Sequence, residues 1–252
     1  LIHLKKFLSK MNDKKLNLII GWLCFLISFI VYYLTAEPTV SFWDTGEYIT
    51  TSAKLQVGHP PGAPLYQMLG AIFSIFALEK ENIGFTMNLM SGFASALTIS
   101  FMYWSIVLVL KKLTIDAKDT IKKQFMVSSS AFIGSISFAF TDTFWFSAVE
   151  TEVYAMATLI MAIMFYLGLR WEFDMNKKRG NKWLLLICFI IGLSFGVHFM
   201  GLLVIPAIVM IYYFKNQKEI LEFLNLQPIT GFIIANALGI AILMGIFKLL
   251  LP

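Results

Sequence analysis

The sequence is poor in what builds a soluble catalytic domain. Only 14 % of its 252 residues are charged, against about 25 % in soluble domains. It holds two cysteines and three histidines. Cys24 and Cys188 both fall inside apolar runs, which excludes a disulfide framework and marks each as a small buried hydrophobe. Histidines and acids never stand at ligand spacings such as HExxH, so no metal centre and no divalent cofactor is indicated. There is no P-loop and no dinucleotide glycine pattern, so nucleotide-driven transport is not encoded here. Internal repeats and low-complexity tracts are also missing.

What is abundant is apolar surface. Hydrophobic residues make up 58 % of the chain, and the mean hydropathy is +0.76. No soluble domain of this size hides so much, so the chain is an all-α integral membrane protein with the lipid bilayer as its first partner. The net charge of +5 is no nucleic-acid signature. The lysines stand in short tracts between apolar runs, where they orient helices against the membrane.

Spans are expected near residues 16–34, 83–110, 125–140, 149–169, 183–197, 199–214 and 229–251. A basic leader over residues 1–15, with Lys5, Lys6, Lys10, Lys14 and Lys15, is cytoplasmic by the positive-inside rule. The first span has no small-residue cleavage site behind it and reads as a retained anchor. Residues 36–82 then form an outer loop. Its apolar run Ala63–Leu78 is about 16 residues, short of the roughly 20 a crossing needs. Were it to cross, the basic loops Lys111–Lys123 and Arg170–Lys182 would both fall outside. It is therefore expected to lie at the outer surface as a juxtamembrane helix. About seven spans result, and the unusual ionisable residues collect on one side. Small residues at helical spacing, Gly92/Ala96, Gly192/Gly196 and Gly239/Ala235, suit close helix packing in lipid.

Four stretches could carry chemistry. Asp44 and Glu47 stand three apart in the outer loop. An acid there can cap a helix, or act as a general base at a polar–apolar boundary. His59 precedes Pro60 and Pro61, a stiff turn that aims its imidazole back toward those acids. Trp145, Glu150, Glu152 and Tyr154 sit at the head of one span. A single acid would serve the helix dipole; two acids and a tyrosine exceed that need, and Glu152 lies deeper. His198 has no charged neighbour for a dozen residues on either side, a costly position in a membrane without a partner. Asn88, early in the 83–110 run, is a weaker instance of the same cost.

The strings WDTGEY, GHPPGAPLY, Trp145 to Tyr154 and GLSFGVH together resemble the GT-C membrane glycosyltransferases. Protein O-mannosyltransferases carry an acid pair and a His-Pro-Pro string in the same order. The chain is more similar to a bacterial family known as domain of unknown function 2723, or glycosyltransferase family 117. The resemblance covers essentially the whole chain. It implies a GT-C-type bundle and transfer of a mannose-like sugar from a polyprenyl-phosphate donor to a hydroxyl acceptor, protein Ser/Thr or a glycan. It makes Asp44 the catalytic acid of the first loop, with Glu47 beside it. His59, Asn88, Trp145, Glu150, Glu152, Tyr154 and His198 are then expected to bind substrates. Related transferases often place an arginine near Asn88, and none stands there, which leaves the phosphate without an assigned partner. The resemblance further implies a bacterial inner membrane with the active face toward the periplasm. It also implies a longer family chain, of which residues 1–252 are the N-terminal module. The alternatives are a secondary transporter or lipid carrier relaying protons through His198 and Glu152, and an inactive fragment.

Overall fold

The computed structural model describes residues 13–115 and 120–250. Lys5, Lys6 and Lys10 of the leader, and residues 116–119 of the Lys111–Lys123 loop, lie outside the described residues.

Among the described residues there are helices and turns and no strand. The chain is an all-α membrane protein. Helix α1 spans Asp13–Thr35, α2 Thr45–Ala53 and α3 Pro64–Ser74. A 3₁₀ turn, Lys80–Asn82, leads into α4, Ile83–Leu113. Then follow α5, Thr120–Ala139, α6, Asp142–Val149, α7, Val153–Asp174, and α8, Lys182–Ser194. A second 3₁₀ segment, Phe199–Val204, runs into α9, Ile205–Lys215, and α10, Gln217–Leu224, and α11, Pro228–Leu250, close the order.

Four of these, α1, α4 with its leading turn, α7 and α11, are each long and apolar enough to cross a membrane. Two bent pairs raise the number to six: α5 with α6, bent by 65°, and Phe199–Lys215 with α10, bent by 80°. Seven crossings are one more than this. The difference falls at 183–197, where α8 has 13 residues and so a length of about 20 Å, against a hydrocarbon core of about 30 Å. The run expected over Ala63–Leu78 is helical only from Pro64 to Ser74, 11 residues, also too short to cross. Proline at its first turn starts it, where the missing N–H costs nothing.

Helix α4 is the hub. At 31 residues it is about 46 Å long, and it touches α1, α2, α3, α5, α6 and α7. Its buried positions are mostly small or hydroxylated, among them Gly84, Ser91, Gly92, Ala94, Ser95, Ala96 and Ser100. Such residues let backbones approach closely where lipid supplies no hydrophobic drive between helices. One core lies between α4 and α7 and includes Met87, Met90, Val153, Ile160 and Met164. The other lies between α1, α4 and α5 around Cys24, Tyr32, Ile99 and Tyr103. Polar groups tie the second: Ser100 Oγ donates to Gly21 O at 2.8 Å, and Tyr32 Oη to Ala139 O at 2.8 Å. A Cβ at Gly21 would meet the Trp104 indole at 2.1 Å. Gly92 backs onto Tyr32 and Gly239 onto Pro206, as close packing requires, but Gly192 faces open space. Cys188 also departs from expectation. It is exposed on α8, while Cys24 is buried, because only one face of that helix meets the bundle. Outward apolar side chains such as Leu18, Ile19, Leu26 and Ile30 on α1 are exposed and face lipid.

The bundle has two unlike ends. At one, Lys111 Nζ pairs with Asp13 Oδ2 at 2.5 Å, and Lys112 pairs with Glu172, joining the start of α1 to the last turns of α4 and α7. At the other end lie the last turn of α1, the first turns of α4 and α7, and the loop that carries α2 and α3.

Candidate functional site

At that second end, the backbone leaves α1 at Thr35 and is pinned before it reaches α2. Glu37 N–H donates to Val149 O at 3.0 Å. Asn88, fully buried, donates through Nδ2 to Glu37 O at 2.8 Å and Thr39 O at 2.9 Å, and accepts from Thr151 Oγ1 at 2.5 Å. Ser41 Oγ donates to the buried Glu150 carboxylate. The chain then passes Trp43, whose φ of 58° lies in the left-handed region, and enters α2. Asp44 occupies the N-cap position of α2, yet its side chain makes no capping hydrogen bond. Its exposed carboxylate instead lines a small cavity.

That cavity, about 90 Å³, is walled by Asp44, Tyr48, His59, Pro61, Gly62, Glu152, Val153, Tyr154, Phe195, Val197, His198 and Phe199. Three stretches far apart in sequence thus meet. The His59–Pro60–Pro61–Gly62 turn closes with Gly62 N–H donating to His59 O at 2.8 Å, and Gly62 takes φ 77°, a conformation glycine adopts without steric cost. Leu65 N–H and Tyr66 N–H then donate to Gly196 O at 2.7 and 3.1 Å. A Cβ on Gly196 would meet Leu65 Cβ at 2.7 Å. This contact fastens α3 to the break after α8, and His59 and His198 line the same cavity.

Glu47 Oε1 accepts from His59 N–H at 2.5 Å, and Glu47 Oε2 lies 3.0 Å from His59 Nδ1. The hydrogen bond and charge of Glu47 raise the His59 pKa. The His59 backbone N–H, followed by its ring, lowers that of Glu47. The two shifts both favour the charged pair. The ligand atoms of Asp44, Glu47 and His59 all lie within 4.8 Å of one another, so the fold assembles one oxygen- and nitrogen-bearing cluster where sequence spacing offers no metal motif. Three such side chains could hold a metal ion.

Glu152 ends the turn before α7 and is 5 % exposed. Burial, then the Asp44 and Glu150 carboxylates, push its carboxyl up to about 7, against the pull of the Asp44 and Val153 backbone N–H groups. Tyr48 responds to the same surroundings: burial first, then Glu152 and Asp44, raise its phenol to about 12, so it stays a hydroxyl donor. His198 accepts the Met200 N–H at Nδ1, 3.1 Å. When neutral it therefore carries its hydrogen on Nε2, and burial lowers its pKa. The Tyr154 ring stands edge-on to it at 5.4 Å.

Of the residues singled out from sequence, Asp44, His59, Glu152, Tyr154 and His198 line the cavity, and Glu47 is bonded to His59. Asn88, Trp145 and Glu150 do not line it. Asn88 and Glu150 lie beneath, spending their polar atoms on the backbone and hydroxyls of the first loop. Trp145 Nε1 donates to Thr35 Oγ1 at 3.0 Å, so that indole braces the end of α1. Tyr48, Phe195, Val197 and Phe199 are wall residues with little sequence signal beyond their nearness to Glu47 and His198.

Residues 44–221 match the family described as Protein O-mannosyl-transferase TMEM260 N-terminal domain. The chain is similar to Protein O-mannosyl-transferase tmem260 of Dictyostelium discoideum, 28 % identical over 147 residues, covering 58 % of this chain and 16 % of that protein. It is also similar to Protein O-mannosyl-transferase TMEM260 of Mus musculus, 25 % identical over 192 residues, covering 75 % of this chain and 25 % of that one. The chain thus spans a quarter or less of the length of these curated relatives. No solved structure matches it. The family match runs from Asp44 past His198 and takes in every residue of the cavity wall: the chain belongs to the family of protein O-mannosyl-transferase TMEM260 N-terminal domains.

Proposed function

We propose that this module transfers a mannose-like sugar from a polyprenyl-phosphate donor to a protein Ser or Thr hydroxyl. The observation that carries the reading is Asp44, a carboxylate at a helix start that caps nothing and faces a cavity shared with two imidazoles. Asp44 takes the proton of the acceptor hydroxyl as that oxygen attacks the anomeric carbon. A new C–O bond forms as the bond to the phosphate oxygen breaks, and the polyprenyl phosphate departs as an anion. The proton leaves Asp44 for water, to which its carboxylate is open.

The leaving phosphate needs donors or positive charge. The cavity wall holds no lysine or arginine. His59, whose pKa Glu47 raises, supplies the charge when protonated, and neutral His198 presents Nε2–H as a donor. The acidic remainder of the wall suits sugar hydroxyls, whose hydrogens need acceptors. The relatives named as protein O-mannosyl-transferases support the sugar and the protein acceptor for this chain. We place the site on the non-cytoplasmic side, because Lys14, Lys15, Lys111 and Lys112 gather at the other end of the bundle and basic ends stay inside. In a bacterial inner membrane that side is the periplasm; the relatives named above are eukaryotic.

The test is transfer of radiolabelled mannose from polyprenyl-phosphate mannose to a Ser/Thr-bearing protein by the natural full-length protein in detergent. Transfer by the wild type, and its loss in Asp44→Asn, is the expected result. A folded wild-type protein that transfers no sugar would remove the reading.

A further inference from the structure

We propose that α10 is a membrane-surface anchor, lying in the headgroup region at the lysine-bearing end of the bundle with Ile220, Phe223 and Leu224 dipped into the bilayer. The inference draws on no residue of the cavity. The segment Phe199–Lys215 crosses without help from α10. Its six 3₁₀ residues and eleven α-helical ones together rise about 28 Å, close to the roughly 30 Å of a hydrocarbon core. Pro228 then starts α11, whose 23 residues are long and apolar enough to cross by themselves. Residues 216–227 therefore have no depth left to cover. In that interval α10 turns 80° away from the preceding span, toward the membrane plane.

The bend is fixed at the end of the bundle away from the cavity. The Tyr212 ring stacks on Trp171 at 5.8 Å, and Asn216 Nδ2 donates to Met175 Sδ at 3.3 Å, which sets the elbow against the end of α7. Gln217 Nε2 donates to Tyr213 Oη at 3.2 Å, and Tyr213 Oη donates to Pro228 O at 3.1 Å. Leu221 packs over Gly231, where a Cβ would meet its Cδ2 at 2.5 Å. One side of α10 is thus spent on α9 and α11. Asn225 ends the helix at φ 50°, a conformation asparagine tolerates there. At about 100° per residue the other side chains sort into two arcs. Lys218, Glu219 and Glu222 share one, and Ile220, Phe223 and Leu224 share the other, where Phe223 is 87 % exposed. The open concavity inside the elbow is lined by Tyr212, Asn216, Glu219, Ile220, Glu222 and Phe223. The apolar arc continues the lipid-facing surface of its neighbours, where Tyr212 and Phe214 of α9 and Ile229 and Phe232 of α11 are exposed. A helix so divided settles in the interface plane with its apolar side in the acyl boundary, and its charged arc keeps it from going deeper.

The test uses the natural full-length protein, freed of its own cysteines and placed in phosphatidylcholine nanodiscs. Nitroxide labels are attached at Lys218→Cys, Glu222→Cys, Phe223→Cys or Leu224→Cys, all exposed positions at which a label leaves the packing intact. Collision with oxygen, which concentrates in lipid, and with a nickel chelate, which stays in water, gives the depth of each label without any need for activity. Labels at 223 and 224 are expected about 5–10 Å below the phosphates, with an oxygen-to-nickel collision ratio several-fold above that of the labels at 218 and 222, which stay at or above the phosphates. Four labels equally open to the nickel chelate would overturn the proposal, for α10 would then stand clear of the membrane. Labels at 223 and 224 shielded from both reagents would overturn it in favour of a protein cover. Labels at 218 and 222 as deep as the one at 223 would also overturn it, and make α10 the second half of a broken span.

Discussion

At the scale of single residues, the cavity separates roles that the sequence left together. Asp44→Asn keeps size and hydrogen-bonding shape but cannot accept a proton, so transfer falls by about 10²-fold or more, with folding intact by size exclusion in detergent. Glu47→Gln should cost less on the proposed reading, because the Glu47 carboxylate is bonded to His59. On the same reading, in which its Nε2–H serves the phosphate, His198→Ala should raise the donor KM more than it lowers kcat. The Glu47–His59 pair gives a pH prediction with a definite sign. The His59 pKa is raised in the fold, so its contribution to loop order is whole below the unfolded value of about 6.5 and is lost as pH rises through the raised value. The Glu47 pKa is lowered, so its share is whole above about 4.5 and is lost as pH falls through the lowered value. Titration of His59 by NMR should give a pKa above that of a free imidazole in the wild type and a lower one in Glu47→Gln. Equal values in both proteins would refute the pairing. These residues were legible because their signal is local: an acid three before another, an imidazole before two prolines, a histidine alone in an apolar run. Asn88, Trp145 and Glu150 were legible as unusual but not as structural, because what satisfies them comes from a loop about 50 to 110 residues away in sequence.

At the scale of elements, the first loop is held to α4 and α7 chiefly by hydrogen bonds. Asn88→Ala leaves the carbonyls of Glu37 and Thr39 and the hydroxyl of Thr151 without their partner. Unmade buried hydrogen bonds of this kind cost about 1–3 kcal/mol each at most, so the thermal midpoint in detergent should drop by several degrees. Transfer should fall through kcat as the loop loosens, and an unchanged midpoint would show that the loop is held elsewhere. The apolar runs near 16–34, 83–110, 149–169 and 229–251 overlap α1, α4, α7 and α11. The short elements were harder. α8 stops at Ser194, after which a turn through Val197 follows, Gly196 gives its carbonyl to the start of α3, and the His198 backbone is extended. α5 and α6 are separated by a 65° bend at Phe140–Thr141, within a sequence that reads as nearly continuous.

At the scale of the molecule, the two ends of the bundle should lie on opposite sides of a membrane. With Cys24 and Cys188 replaced, single cysteines at Leu55 and Lys177 report on the two ends. An impermeant maleimide is expected to label position 55 only from the site side and position 177 only from the other; labelling of both from one side would sink this topology. The sequence by itself determined the class of the protein, an all-α membrane protein, and placed its lysines between apolar runs. Hydropathy and lysine placement act through the solvent, and the bilayer is the same solvent for any fold. It also determined which side chains are too costly to be idle in an apolar surrounding. Only the tertiary structure decided which of those costs are met by the protein's own backbone and which are left facing a cavity. Asp44, His198 and Tyr48 line the cavity, while Asn88 and Glu150 are spent on the first loop and Trp145 on the end of α1. That division depends on distances of about 3 Å between residues remote in the chain, and hydrogen bonds of such short range leave no periodicity in a sequence.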